Sequence, residues 1–178
     1  MGLRPGKCYR KMQRAFTRQS QRKPRKSYIK GVPRHGISSF EMGKKKNYSN
    51  TLHLVSKQNV QIRHNSLESS RIATVQHLEK KISKGATFFL RLRPYPHQVL
   101  RENALATGAG ADRFQQGMRL SFGKPIGTAA RVKIGQTILE VSVDKNNIDV
   151  AKGALKAARH KLPTTCKIII MENKIAKV

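Results

Sequence analysis

TAARVKIGQTILEVSVDKNNIDVAKGALKAARHKLPTTCKIIIME, residues 128–172, carries the most regular pattern in the chain. Thr128–Ile134 and Thr137–Val143 alternate apolar with polar residues, and this period of two predicts a β-strand in each segment. Gly135-Gln136 leaves only a short connection between the segments, which is typical of a hairpin turn. The stretch therefore begins with a predicted β-hairpin.

A helix and a last strand follow the predicted hairpin. Asn146 or Asn147 is a typical N-cap residue, and the helix is expected to continue to about Lys161 because Pro163 ends it. The apolar residues expected on its buried side are Val150, Ala151, Ala154, Leu155 and Ala158. Thr165–Glu172 forms the last predicted strand, and its uninterrupted apolar run predicts burial on both faces.

Further strands are predicted upstream of this stretch. Ile37–Met42, Thr51–Val55 and Phe88–Arg93 have strand-like composition, and Val99-Leu100 allows a short additional strand. The third segment ends before Pro94, because proline has no backbone N–H group to donate to a neighbouring strand.

A long helix from Ser66 to Lys84 is predicted between these strands. Asn65 and Glu68 resemble an N-cap and its box partner, and Gly85 can end the helix. Its apolar face is predicted to contain Leu67, Ala73, Val75, Leu78 and Ile82. Strands separated by two helices indicate an α+β fold in which the two helices pack on a sheet.

The charge of the chain is strongly unbalanced. Lys and Arg total 37 against 9 Asp and Glu, so the formal net charge is +28, while hydrophobic residues make up only 38%. A polyanion relieves such self-repulsion, and counterions released from phosphates favour binding to nucleic acid. No apolar run is long enough to span a membrane and the first residues are charged, so we expect a cytoplasmic protein without membrane contact.

Residues 1–36 are predicted to form a basic N-terminal arm. They include no acidic residue, and Pro5, Pro24 and Pro33 interrupt any helix. We expect the arm to become ordered on RNA, with rings stacked on bases and cations on phosphates; a solubilising tail is the alternative. The arm residues predicted to bind RNA are Arg4, Lys7, Tyr9, Arg10, Lys11, Arg14, Arg18, Arg22, Lys23, Arg25, Lys26 and Arg34.

Residues 37–178 are predicted to form one α+β domain, and two places in this domain add positive charge. Lys44, Lys45 and Lys46 follow its first predicted strand. Arg91 and Arg93 alternate along Phe88–Arg93, which places both arginines on one face of that strand. Both groups are predicted to face RNA.

A long irregular loop is predicted at about residues 102–118. Gly108 and Gly110 allow its backbone to approach a nucleic acid closely. Cations in and around the loop suit phosphate contact, although an ordinary solvated loop is the alternative. They are Arg101, Arg113, Arg119, Lys124 and Arg131.

The sequence predicts no catalytic site, no cofactor and no metal. Gly108-Ala109-Gly110 lacks the third glycine and the strand–helix context of a dinucleotide-binding motif. Gly117–Lys124 has the wrong glycine spacing for a phosphate-binding loop, and Pro125 replaces its hydroxyl residue. Two cysteines and six histidines show no metal-ligand spacing, so most histidines are expected at the surface or facing RNA, and the cysteines are expected as reduced thiols.

Three motifs near the loop carry a family resemblance. They are GADRFQQGMR at 110–119, FGKP at 122–125 and GTAARV at 127–132, and Gly31–Pro33 and Arg91–Pro94 match as well. On these motifs the chain resembles, over nearly its whole length, the family of large-subunit ribosomal protein sixteen in its archaeal and eukaryotic form, also called ten-e. The absence of a long segment after the last predicted strand favours the archaeal type.

The resemblance implies an α/β-hammerhead-like fold with an antiparallel or mixed sheet. It also implies a structural role in the large ribosomal subunit, with contacts to large-subunit ribosomal RNA near the aminoacyl site, to 5S ribosomal RNA or its surroundings, and to neighbouring ribosomal proteins. Transfer RNA in the aminoacyl and peptidyl sites would lie near a loop to which the resemblance assigns Arg101, Glu102, Gly108, Gly110, Asp112 and Arg113.

Two other functions remain open on the residues alone. A general, chromatin-like DNA-binding protein explains the charge equally well, and a preference for structured RNA over duplex DNA separates the two readings. An RNA-modifying or phosphate-transferring enzyme would use the glycine-rich loop, and multiple turnover that depends on Asp112 or Arg113 would identify it.

Overall fold

The computed structural model describes residues 3–12, 29–82, 87–103, 108–110, 119 and 121–173. The strands and α-helices in these residues confirm the predicted α+β class. In chain order they are β1 (Glu41–Gly43), β2 (Asn50–Ser56), β3 (Val60–Arg63), α1 (His64–Lys81), β4 (Phe89–Leu92), β5 (Gln98–Glu102), β6 (Lys124–Val132), β7 (Thr137–Val143), α2 (Ile148–Arg159) and β8 (Cys166–Glu172). None of the described helices combines the length and hydropathy that a membrane span requires.

The strands form two antiparallel sheets, and the predicted hairpin between β6 and β7 is wrong. The larger sheet has the order β1-β4-β7-β2-β8 and the smaller sheet has the order β3-β6-β5. Both edges of β7 are occupied by β2 and β4, so β6 pairs with β3 and β5 instead. The turn at Gly135, whose φ is +79°, therefore connects the two sheets.

One hydrophobic core joins both helices to both sheets. Leu52 and Leu54 of β2 lie beside Val141 and Leu139 of β7, and all four side chains are fully buried against the helices. The helical residues of this core that were predicted to be buried and are buried are Leu67, Val75, Leu78, Ala151, Ala154, Leu155 and Ala158. The remaining predicted ones, Ala73, Ile82 and Val150, are only half-buried.

The predicted capping of α1 is not observed. The helix starts at His64, Asn65 lies in its first turn, and no side chain caps its N-terminus. Glu68 instead accepts hydrogen bonds from the Arg71 guanidinium, at 2.9 and 2.6 Å, because the ion pair is a stronger partner than a backbone amide. The helix ends at Lys81, since Ile82 is already extended.

Strand β8 is not buried on both faces as its apolar run predicted. Ile169, Ile170 and Met171 are 38%, 42% and 54% exposed. The reason is topological, because β8 is an edge strand that pairs only with β2. An apolar run indicates a strand but does not show how many of its sides are covered.

Other strand boundaries differ modestly from the predictions. Strand β1 is shorter than the predicted 37–42 segment, and β6 begins at Lys124, within what the sequence assigned to the surroundings of the loop. Strand β3 was not predicted at all, although Val60 and Ile62 alternate there with Gln61 and Arg63. Its four residues are too few to stand out beside the helix that follows directly.

Candidate nucleic-acid interface

The described beginning of the predicted arm lies along β3. Backbone and side-chain nitrogens of Gln61 donate to the carbonyl oxygens of Arg10 and Tyr9, both at 2.9 Å. Arg63 Nη1 donates to the Arg4 carbonyl oxygen, also at 2.9 Å. These bonds fix the backbone of the segment on the smaller sheet. Its cationic side chains remain exposed, and they are those of Arg4, Lys7, Arg10 and Lys11.

The base of the predicted loop is held together by β5 and β6. Glu102 lies opposite Lys124 in the strand register. The Arg101 guanidinium lies 3.8 Å from the centroid of the Phe122 ring and donates to the Phe122 carbonyl oxygen. At Gly123, φ is +74° and a Cβ atom would lie 2.7 Å from the Glu102 carbonyl carbon. Only glycine fits this close approach.

Tyr9 connects the N-terminal segment to the base of the loop. Its hydroxyl donates to Glu102 Oε2 at 3.3 Å across 93 residues of sequence. Burial and the nearby Glu102 carboxylate raise the pKa of Tyr9, whereas a hydrogen bond with Arg4 opposes the shift. The phenol therefore remains a protonated donor near neutral pH. The predicted arm and the predicted loop meet at this contact.

A groove opens where these elements meet. It has a volume of about 580 Å³ and lies between the N-terminal segment, the start of α1 and strands β5 and β6. Its cationic lining residues are Arg4, Arg63 and Lys124, and Leu3, Leu100 and Ile126 provide apolar surface. Glu102 and Asn65 also line it, so the groove combines apolar walls and a basic edge with hydrogen-bonding groups.

Arg63 and His64 were missed as candidate site residues. His64 is half-buried beside Thr128, whose backbone nitrogen lies 3.2 Å from His64 Nδ1, and a Cβ on Gly127 would approach His64 Cε1 to 3.2 Å. His35, His53 and His77 are half-buried as well, whereas His97 and His160 are exposed. The alternation before α1 was the signal that could have placed Arg63 on a strand next to the groove.

The Lys44–Lys46 group lies at the end of β1, on the larger sheet. Gly43 has φ +89°, and the Lys44 backbone nitrogen donates to the Phe88 carbonyl oxygen at 3.0 Å. Lys46 pairs with Asp144 at 3.0 Å. Lys44 and Lys45 are exposed and pair with none of the carboxylates that the structure describes. These two lysines are free to contact phosphate.

The basic face predicted for β4 is largely neutralised. Arg91 pairs with Glu41 at 3.1 Å, and Arg93 lies 3.4 Å from Glu140. Both arginine side chains are about half exposed, at 45% and 48%. Neighbouring strands supply the two carboxylates, so the alternation along β4 alone could not reveal them. Any role of these arginines in RNA binding competes with the ion pairs.

The structure describes only some of the remaining candidate residues. Gly108 and Gly110 are exposed, and their φ values of +126° and +82° lie in the region that favours glycine. Arg119 and Arg34 are exposed, and half-buried Arg131 points Nε at Met12 Sδ, 3.4 Å away. The candidates outside the described residues are Arg14, Arg18, Arg22, Lys23, Arg25, Lys26, Asp112 and Arg113.

Metal-ligating and thiol groups add no second site in the described ranges. No cluster of three or more His, Cys, Asp or Glu side chains could hold a metal ion there. Cys8 is exposed and Cys166 is buried, and neither forms a disulfide. Burial raises the pKa of the Cys166 thiol, which keeps it protonated and unreactive.

By its fold and its surface charge, the chain belongs to the class of small, strongly basic α+β proteins with cations on exposed segments. A family model described as ribosomal protein L16p/L10e matches residues 16–169. The chain belongs to this family of ribosomal proteins, which confirms the family indicated by its motifs. Proteins of this family are structural and not enzymes, in agreement with the sequence.

Curated relatives named large ribosomal subunit protein uL16 match almost end to end. The protein from Metallosphaera sedula is 45% identical over 180 residues, which covers 99% of this chain and 99% of the relative. The protein from Methanococcus aeolicus is 46% identical over 172 residues, covering 96% and 95%. The protein from Sulfolobus acidocaldarius is 47% identical over 173 residues, covering 96% and 94%.

Proposed function

We propose that the chain is a structural constituent of the large ribosomal subunit that binds its RNA near the aminoacyl site and helps to position transfer RNA during elongation. One observation carries the proposal. The N-terminal segment is fixed on β3 and hydrogen-bonded to the base of the glycine-rich loop, and its cations remain exposed. The name of the curated relatives supports the same assignment.

The mechanism is architectural. The arm, residues 1–36, contacts phosphates of several RNA segments, and the domain, residues 37–178, adds the exposed Lys44 and Lys45. The β5–β6 base carries the loop of about residues 102–118 toward transfer RNA. Peptidyl transfer itself belongs to RNA. The further partners in this proposal are 5S ribosomal RNA and neighbouring ribosomal proteins in the cytoplasm.

Gradient sedimentation of cell extract tests the assignment. A tagged full-length chain is expected to sediment with large subunits at low salt and to remain there after a high-salt wash, because many contacts hold it. A chain lacking residues 1–12 loses the segment fixed on β3 and is expected to leave the subunit during the wash. Full-length protein found only at the top of both gradients would overturn the proposal.

Competition between nucleic acids tests the DNA-binding alternative. The purified chain is titrated with a structured ribosomal RNA fragment and with duplex DNA of equal charge at the same salt concentration. We expect the RNA to bind more tightly, because the groove suits unstacked bases that duplex DNA does not offer. Equal affinity would favour a general polyanion-binding protein.

A further inference from the structure

The groove beside the N-terminal segment has the size and lining of a binding site for one nucleotide. Its volume of about 580 Å³ lies within the range of roughly 300–1,000 Å³ that ligand clefts occupy. It is framed by three separate parts of the chain, the N-terminal segment, the β3–α1 junction and the β5–β6 pair. Hydrogen bonds from Gln61 and Arg63 to the segment keep this frame in place.

Apolar side chains line the groove from opposite elements. Leu3 comes from the N-terminal segment, where it is 80% exposed, and Ile126 comes from β6, where it is 46% exposed. Leu100 of β5 is buried beneath them, and the Tyr9 ring adds an aromatic surface. Flat apolar and aromatic walls are what unstacked bases pack against in single-stranded RNA complexes.

Hydrogen-bond acceptors inside the groove indicate which base would fit. Glu102 accepts one hydrogen bond from Tyr9, so its carboxylate keeps further acceptor capacity. Asn65 Oδ1 is buried and lacks a hydrogen-bond partner among the described residues. Guanine presents two adjacent donors, N1–H and the 2-amino group, which a carboxylate can accept together. Uracil presents only one donor.

Cations around the groove suit the phosphates on either side of the base. Arg4 and Lys124 are exposed, and Arg63 keeps guanidinium donors beyond the Nη1 bond to the Arg4 carbonyl oxygen. These three cations exceed the single carboxylate of Glu102, so the net charge of the groove is positive. A polyanion can therefore approach, while the Glu102 carboxylate accepts hydrogen bonds from the base.

We propose that the groove binds one unstacked guanosine of single-stranded RNA, with the base between Leu3 and Ile126, its N1–H and 2-amino group on Glu102, and its phosphates on Arg4 and Lys124. This assignment rests on the proposed RNA-binding function and adds a base-specific contact to it. Charge contacts alone would bind every sequence equally, whereas this site discriminates between bases.

Short RNAs that differ at one nucleotide test the site. The full chain is titrated with fluorescent pentanucleotides that carry guanosine, inosine or uridine at the centre between uridines. We expect guanosine to bind about tenfold more tightly than inosine, which lacks the 2-amino group, and more tightly still than uridine. Equal binding of all three would overturn the inference, while the sedimentation experiment would still decide the proposed ribosomal role.

Two variants and one control make the assignment specific. Glu102→Gln is expected to reduce the preference for guanosine over inosine to less than about threefold, because the amide has only one acceptor oxygen. Ile126→Ala removes one apolar wall of the groove at an exposed strand position, and it should weaken guanosine binding severalfold. Lys156→Ala, on the exposed side of α2, should leave the preference unchanged. A preference that survives both groove variants would place the contact elsewhere.

Discussion

The Glu68–Arg71 pair is the least exposed ion pair that the structure describes, with side chains 17% and 9% exposed. Glu68 Oε2 also accepts a hydrogen bond from the Ser38 backbone nitrogen at 3.4 Å, which links α1 to the segment before β1. Hydrogen bonds from Arg71 hold the pKa of Glu68 below its usual value of 4.5. The charged form of Glu68 therefore stabilises the fold.

Acid should weaken the contribution of this pair. Because the folded-state pKa of Glu68 lies below its unfolded-state value, the contribution is complete above that value and is lost as pH falls through the folded-state pKa. Glu68→Gln should lower the free energy of unfolding by about 1–3 kcal/mol at pH 7, and the difference from wild type should shrink as the pH falls below 4.5. Urea unfolding followed by circular dichroism measures it; a constant difference would contradict the pKa shift.

Gly123 should be the more sensitive of two loop glycines. Gly110 has φ +82°, and no atom of the described residues lies within 4 Å of an added Cβ, so Gly110→Ala should cost the strain alone, about 1–2 kcal/mol. At Gly123 the same strain is combined with a clash against the Glu102 backbone, and Gly123→Ala should cost about 3 kcal/mol or more. Thermal and urea unfolding of both variants compare the two costs, and similar losses would show that β5 yields easily.

At the scale of single residues, the sequence identified side chains but not their distant partners. The buried positions of α2 were predicted because helical spacing is local information. Tyr9–Glu102 and Arg93–Glu140 join residues that are far apart in the chain, and no spacing rule connects them. The candidate site could therefore be predicted as a set of cations, whereas its groove could not.

At the scale of elements, alternation predicted strands more reliably than it predicted their neighbours. Strands β2 and β7 begin and end within a residue of their predicted bounds. Their pairing depends on which edges other strands already occupy, so the β6–β7 hairpin and the two-sided burial of β8 were wrong. Periodicity describes a strand's faces and contains no information about its edges.

Two facing residues on β2 and β8 allow the effect of an edge position on the free energy of unfolding to be compared. Leu52 and Ile170 lie opposite each other, but Leu52 is fully buried and Ile170 is 42% exposed. Leu52→Ala should lower the free energy of unfolding by about 2–5 kcal/mol because it leaves a cavity. Ile170→Ala should cost about 1 kcal/mol or less, since solvent already reaches the side chain. Chemical unfolding compares the two variants, and equal losses would mean that β8 is covered.

At the scale of the whole molecule, the few carboxylates are unevenly distributed. The chain has nine of them, and among the described residues five form ion pairs, with cations on or directly after β4, on the two helices and at Lys46. Residues 1–36 contain none, and the N-terminal segment meets a carboxylate at Glu102 through Tyr9. The cations of the N-terminal segment and Lys44 and Lys45 are therefore exposed and form no ion pair with a carboxylate of the described residues.

The ion pairs distinguish Lys44 and Lys45 from Arg91 and Arg93, although the sequence predicted contact with RNA for both pairs. Replacing Lys44 and Lys45 together by alanine should make the negative slope of log affinity against log salt shallower by roughly 1.4–1.8, since each unpaired cation on a phosphate contributes about 0.7–0.9. Replacing Arg91 and Arg93 removes the same charge, yet it should change the slope by less than about 0.5, because both arginines already pair with carboxylates.

Fluorescence anisotropy with one ribosomal RNA fragment over a series of KCl concentrations measures both slopes. The two double variants are matched in charge, so net repulsion alone predicts equal changes for them. A larger change for the lysine variant would show that local ion pairs decide which cations meet phosphate. Equal changes would show instead that Glu41 and Glu140 release their arginines when RNA binds, and β4 would then belong to the interface after all.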